Sequence, residues 1–88
     1  MNYISLDLEL NNNPDGSTPN PKIIQVGISV GNLNDSILLT QNWLIDPFED
    51  IYPFITSLTG ITDSDIAENA TPLEKVANDL SAIILING

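Results

Sequence analysis

The sequence predicts an α/β fold: an N-terminal three-stranded antiparallel meander, then short helical turns, then one amphipathic helix. Three observations carry this. The first half of the chain holds three apolar runs with two-residue alternation, joined by short turn-rich links. Asp46-Pro47 closes the third run, and from there the apolar period lengthens to that of a helix. The chain has 88 residues with 42% apolar content, enough for one small domain or part of a larger one.

The first strand spans 3–10. Ile4, Leu6, Leu8 and Leu10 share one face, and Asp7 and Glu9 share the other. Asn11 to Pro21 is a loop rich in breakers, with Asn11, Asn12 and Asn13 expected as turn formers. The second strand spans 22–30, with Ile24, Val26, Ile28 and Val30 on one face and Gln25, Gly27 and Ser29 on the other. Gly31 to Asp35 forms a hairpin loop. The third strand spans 36–45, with Ile37, Leu39, Gln41 and Trp43 on one side. Short links between consecutive strands favour antiparallel pairing. Trp43 is expected as a core or edge anchor.

A short helix over 52–58 stops near Gly60, a residue suited to the left-handed terminator position. Thr62 is a candidate N-cap for a further short turn over 63–67. Thr71-Pro72-Leu73-Glu74 is a stronger start signal: Thr71 caps, Pro72 takes the first helical position and Glu74 reaches back. Leu73, Val76, Ala77, Leu80, Ile83 and Ile84 follow at helical spacing and form the stripe expected to pack on the sheet. The apolar run over 82–86 reads as the helix end leading toward a further strand.

Charge narrows the function classes. Twelve acids face two bases, for a net charge of -10, and Arg and His are absent. A basic nucleic-acid patch is excluded for these residues alone, and attraction to an anionic membrane is disfavoured. Divalent cations remain suitable partners. The chain has no Cys, hence no disulfide framework. It has no 18-residue apolar stretch and no signal-peptide pattern, so a cytoplasmic protein without membrane contact is expected.

Asp7 and Glu9 are the candidate chemical centre. They sit about 7 Å apart along one strand face, with no Lys or Arg nearby in sequence. Like charges so placed repel, and a divalent cation converts the repulsion into a binding site. Taken alone, an Asp-x-Glu pair is more often two solvated carboxylates on an open sheet face. Asp63, Asp65 and Glu68 read as a solvated helix start rather than ligands.

The ordered set Asp7-Leu8-Glu9, Ile23-Ile24-Gln25-Val26-Gly27-Ile28-Ser29-Val30 and Leu58-Thr59-Gly60-Ile61-Thr62, followed by an amphipathic helix, resembles the N-terminal part of the DEDD 3′–5′ exonucleases. That superfamily includes the proofreading exonucleases, RNase T and oligoribonuclease. The resemblance implies a ribonuclease H-like fold, incomplete here, and phosphodiester hydrolysis with two Mg²⁺ or Mn²⁺ ions about 4 Å apart. It implies that Asp7 bridges both metals and Glu9 holds the one carrying the attacking water. It implies that Leu10 lies near the terminal nucleotide and that Gly60 and Ile61 pack by the 3′-terminal base. The partner so implied is the 3′ end of single-stranded DNA or RNA. Leu10 departs from the Thr common there and offers no hydroxyl.

The second and third acidic motifs and the general base of that family are missing. Tyr3 and Tyr52 stand in the wrong places to serve as the base. These 88 residues are therefore expected to be a fragment, inactive alone and marginally stable, with self-association through an uncovered sheet edge. The alternatives are a non-catalytic, metal-dependent nucleic-acid-binding module and an acidic interaction protein.

Overall fold

The computed structural model describes residues 2–34 and 36–87; Asp35, at the end of the expected hairpin loop, and Gly88 lie outside the described residues. Three strands, β1 (Asn2–Asn11), β2 (Lys22–Asn32) and β3 (Ile37–Leu44), precede three helices, α1 (Pro53–Thr59), α2 (Asp63–Asn69) and α3 (Leu73–Asn87). The strands form one antiparallel sheet in the order β1-β2-β3. The meander and the mixed α/β class are as the alternation predicts.

β2 is the organising strand. Its stripe of Ile24, Val26, Ile28 and Val30 is buried. Val26 and Ile28 pack with Trp43, Ile45 and Val76, and Ile4, Ile23, Leu80 and Ile83 close around them. This cluster joins α3 to one face of the sheet. Trp43 is a core residue, so its ring is not free to stack on a base. A second cluster gathers Ile24, Ile51, Ile55, Ile61 and Ile66 and joins α1 and α2 to the start of β2.

Two bulges break the strict alternation. The pairing of β1 with β2 steps from Glu9–Gln25 to Leu10–Ile23, leaving Ile24 as the extra residue. This shift frees Ile24 to join the second cluster rather than the first. The pairing of β2 with β3 steps from Val30–Leu39 to Gly31–Ile37, leaving Leu38 extra. Ile37 therefore does not continue the Leu39–Trp43 face, and both Ile37 and Leu38 are exposed.

Asn11 ends β1 and is fully buried, which corrects its reading as a turn former. Its Nδ2 donates to Glu49 Oε2 at 2.7 Å and to the Asp50 carbonyl at 3.1 Å, and its Oδ1 accepts from the Tyr52 N–H at 3.0 Å. One amide thus ties the end of β1 to the segment that launches α1. Asn13 does form a turn, its carbonyl accepting from the Gly16 N–H. In the same loop Asp15, hydrogen-bonded by Ser17, has a carboxyl held below its ordinary range.

The helix ends follow local chemistry. Pro lies at the start of α1, and Gly60 (φ 79°) terminates it, its N–H donating to the Thr56 carbonyl. Thr62 caps α2 in a reciprocal box with Asp65. The start of α3 differs from expectation. The Val76 N–H donates to the Pro72 carbonyl at 3.1 Å and the helix begins at Leu73, so Pro72 stands just before the helix rather than at its first position, while the Thr71 N–H donates to the Leu44 carbonyl at 2.8 Å. Of the expected stripe, Val76 is buried, Leu80 and Ile83 are half-buried, and Leu73, Ala77 and Ile84 are exposed.

Removing the Asn11 amide leaves the Tyr52 N–H and the Asp50 carbonyl without that partner in a partly buried setting. Asn11→Ala is expected to lower stability by about 2–3 kcal/mol, read as a fall in the urea midpoint. Asn11→Asp sets a second carboxylate against Glu49. It should lose more at neutral pH and regain part of that loss as pH falls through the carboxylate range, since protonation removes the repulsion.

Candidate metal centre

Asp7 and Glu9 reach their positions through register. Asp7 pairs with Gly27 and Gly27 with Asn42; Glu9 pairs with Gln25 and Gln25 with Leu44. Directly opposed residues share a face, so both carboxylates lie on the face that α3 does not cover. Asp7 is exposed and Glu9 half-buried. Both lysines are engaged elsewhere, Lys22 with Glu49 and Lys75 with Asp79. No lysine therefore neutralises the pair.

Gly27 shapes the space beside Asp7. A Cβ at Gly27 would stand 2.6 Å from Asn42 Oδ1. The Asn42 carboxamide therefore lies over the glycine, leaning from β3 toward β1. It adds a neutral oxygen to the face that carries the carboxylates. Sequence reasoning missed Asn42 because nothing local links it to Asp7. The glycine inside an apolar strand was the available signal, since such a glycine often marks a close approach.

The other expected site residues are placed as follows. Leu10 lies just past the bulge and is partly exposed. Gly60 is exposed, with open space where a Cβ would be. Ile61 is buried in the second cluster beside Ile24, so its side chain serves the core and only the turn backbone faces outward. Thr59 pins that turn: its hydroxyl donates to the Ile55 carbonyl at 2.8 Å and accepts from the Ile61 N–H at 3.1 Å. Ile24 and the Asn11–Tyr52 hydrogen bond connect the turn's cluster to the end of β1.

The donor set is all oxygen, which suits Mg²⁺ or Mn²⁺. It fits one hard cation in part and does not complete a two-metal set. Among the described residues no group of three His, Cys, Asp or Glu side chains is placed to hold a metal ion. A cavity of about 470 Å³ opens elsewhere, against Ile23, Ile45, Pro47, Phe48 and Leu73, and neither carboxylate lines it. Among the described residues no helix is long and apolar enough to cross a membrane. The chain matches no protein-family model, and no curated protein matches it.

Gly27→Ala is expected to push the Asn42 carboxamide off the strand at a cost of about 1 kcal/mol, and Gly27→Ala/Asn42→Ala to regain most of it. Thermal unfolding reads the energy, and the Asn42 side-chain amide resonance reads the displacement. Additive losses in the double variant would show that Asn42 does not occupy that space.

Proposed function

We propose that this chain forms the N-terminal part of a DEDD-type 3′–5′ exonuclease domain and contributes two of its four metal-holding carboxylates. The observation that carries the reading is the placement of Asp7 and Glu9. They lie together on the open face of β1, beside a glycine, in a β1-β2-β3 meander followed by a Gly60-terminated helix and a longer helix. The resemblance in sequence supplies the chemistry, and the sheet supports the reading by setting both carboxylates on one face.

In this proposal Asp7 and Glu9 hold Mg²⁺ or Mn²⁺, which when bound activates water and stabilises the leaving oxygen of a phosphodiester. The protein's own part is to keep two anions close and uncompensated. Leu10 lends apolar surface to a terminal nucleotide, and the Gly60–Ile61 backbone lends a close approach for its base. With a net charge of -10, the contact with DNA or RNA depends on the bound cation rather than on a basic surface.

The chain has no residue suited to the base. It holds no His. Tyr3 lies against Gly31, and Tyr52 packs on the second core cluster. The 88-residue polypeptide is therefore proposed to bind a cation without turnover. A metal-dependent binding module shares that prediction, since two carboxylates without a third are what such a module would keep.

Calorimetric titration of Mn²⁺ into the wild-type chain should show one weak site per chain, lost in Asp7→Asn/Glu9→Gln. A labelled single-stranded oligonucleotide should remain uncut in the same samples. A folded wild-type chain that takes up no Mn²⁺, or a double variant that binds as well as wild type, would remove the basis of the proposal.

A further inference from the structure

We propose that Asn11 is a positioning residue: its carboxamide fixes the Gly60–Ile61 turn relative to Leu10 and the carboxylates, and so sets the seat of a 3′-terminal nucleotide. The inference rests on the exonuclease reading proposed above, in which Leu10 and that turn flank the terminal nucleotide.

Asn11 follows Asp7 and Glu9 at two-residue spacing on β1, and the bulge beside it belongs to β2, so it continues their face of the strand. Among the described residues it is the one buried polar side chain. A buried carboxamide is costly unless its donors and acceptor are met. Here all three of its hydrogen bonds go to residues 49–52. The side chain is thus bound to the segment that starts α1 and not to its own strand.

Two hydrogen-bonded paths run from that contact to the turn. The Tyr52 N–H donates to Asn11 Oδ1. The Tyr52 carbonyl accepts from the Thr56 N–H at 3.1 Å, and the Thr56 carbonyl accepts from the Gly60 N–H at 2.8 Å. The same Tyr52 carbonyl accepts from the Ile55 N–H at 2.8 Å. The Ile55 carbonyl accepts from the Thr59 hydroxyl, which accepts in turn from the Ile61 N–H. Only the first link crosses the fold; the rest lie within α1 and its end, a rigid piece about 10 Å long. Tyr52, at the N-cap of α1, makes no side-chain cap hydrogen bond of its own. The packing of Ile51, Ile55 and Ile61 on Ile24 holds the turn down, but apolar contact is not directional. The Asn11 carboxamide supplies the direction, and it does so from the residue next to Leu10.

Asp7 and Glu9 lie in the regular ladder before the bulge, paired with Gly27 and Gln25. Loss of the carboxamide should therefore displace the turn and spare the carboxylates. Nucleotide affinity and cation affinity then separate, which a general loss of stability would not produce.

The probe is thymidine 5′-monophosphate with Mg²⁺, followed by amide chemical shifts, with Mn²⁺ calorimetry run on the same samples. In the wild-type chain the Leu10, Gly60 and Ile61 amides should shift with nucleotide, and the Tyr52 amide and Asn11 side-chain amide should shift in step with them. Folded Asn11→Ala should lose about fivefold or more in nucleotide affinity and keep its Mn²⁺ affinity within about twofold. Asn11→Asp/Glu49→Gln keeps an oxygen for the Tyr52 N–H and a donor at 49, and should recover nucleotide affinity. Val76→Ala, in the other cluster, should lower stability without changing either affinity. A wild-type chain that binds no Mn²⁺ would remove the exonuclease reading and this role with it. Uptake of Mn²⁺ without nucleotide shifts at Leu10, Gly60 and Ile61 would overturn this role and leave the cation site standing. So would a static Tyr52 amide, unchanged nucleotide affinity in Asn11→Ala, an equal loss in Val76→Ala, or no recovery in Asn11→Asp/Glu49→Gln.

Discussion

The register of β1 on β2 is the constraint from which the rest of this structure follows. β2 has one face whose burial is not negotiable, because Val26 and Ile28 must meet Trp43, Ile45 and α3. Pairing Leu6 with Ile28 and Leu8 with Val26 sends Asp7 and Glu9 to the opposite face. A slip of one residue would bring both carboxylates to the face on which Val26, Ile28 and Trp43 pack and would turn Leu6 and Leu8 to the other. The hydrophobic core thus places the charged pair without touching it. At the end of β1 the bulge turns Ile24 into the second cluster, and Asn11 closes the ladder against residues 49–52.

That arrangement gives the two sheet faces different characters. One is packed with branched aliphatic side chains and a buried indole. The other carries Tyr3, Ser5, Asp7 and Glu9 from β1, with Gly27 between Asp7 and Asn42. The chain's two lysines are spent on Glu49 and Asp79, so the excess of negative charge on the open face persists. A surface of that kind is suited to a hard cation. In the reading proposed above, it meets nucleic acid only through one.

Much of the fold was legible because it is local. Two-residue alternation revealed which face holds Asp7 and Glu9, and which residues of β2 are buried. Gly60 and Thr62 announced helix ends through chemistry that acts within four residues. The features that were not legible depend on distant chain. Asn11 is buried only because residues 49–52 return to it, and in a run of three asparagines it looks like a turn. The bulges at Ile24 and Leu38 shift face parity without a sequence marker. Leu6 and Leu8 share the apolar face of β1, yet no described element covers them fully. Of the site, the carboxylates were evident, but Asn42 required knowing which β3 residue lies across Gly27.

The proposed cation site lies on the open β1 face and on no other acidic part of this chain. Paramagnetic broadening by trace Mn²⁺ in an amide NMR spectrum distinguishes these places. With the site on β1, broadening centres on the amides of Asp7 to Glu9, Gly27 and Asn42 and spares α3. Broadening centred on Glu49 and Asp50, or on Asp63 and Asp65, would put the cation elsewhere and refute the proposal.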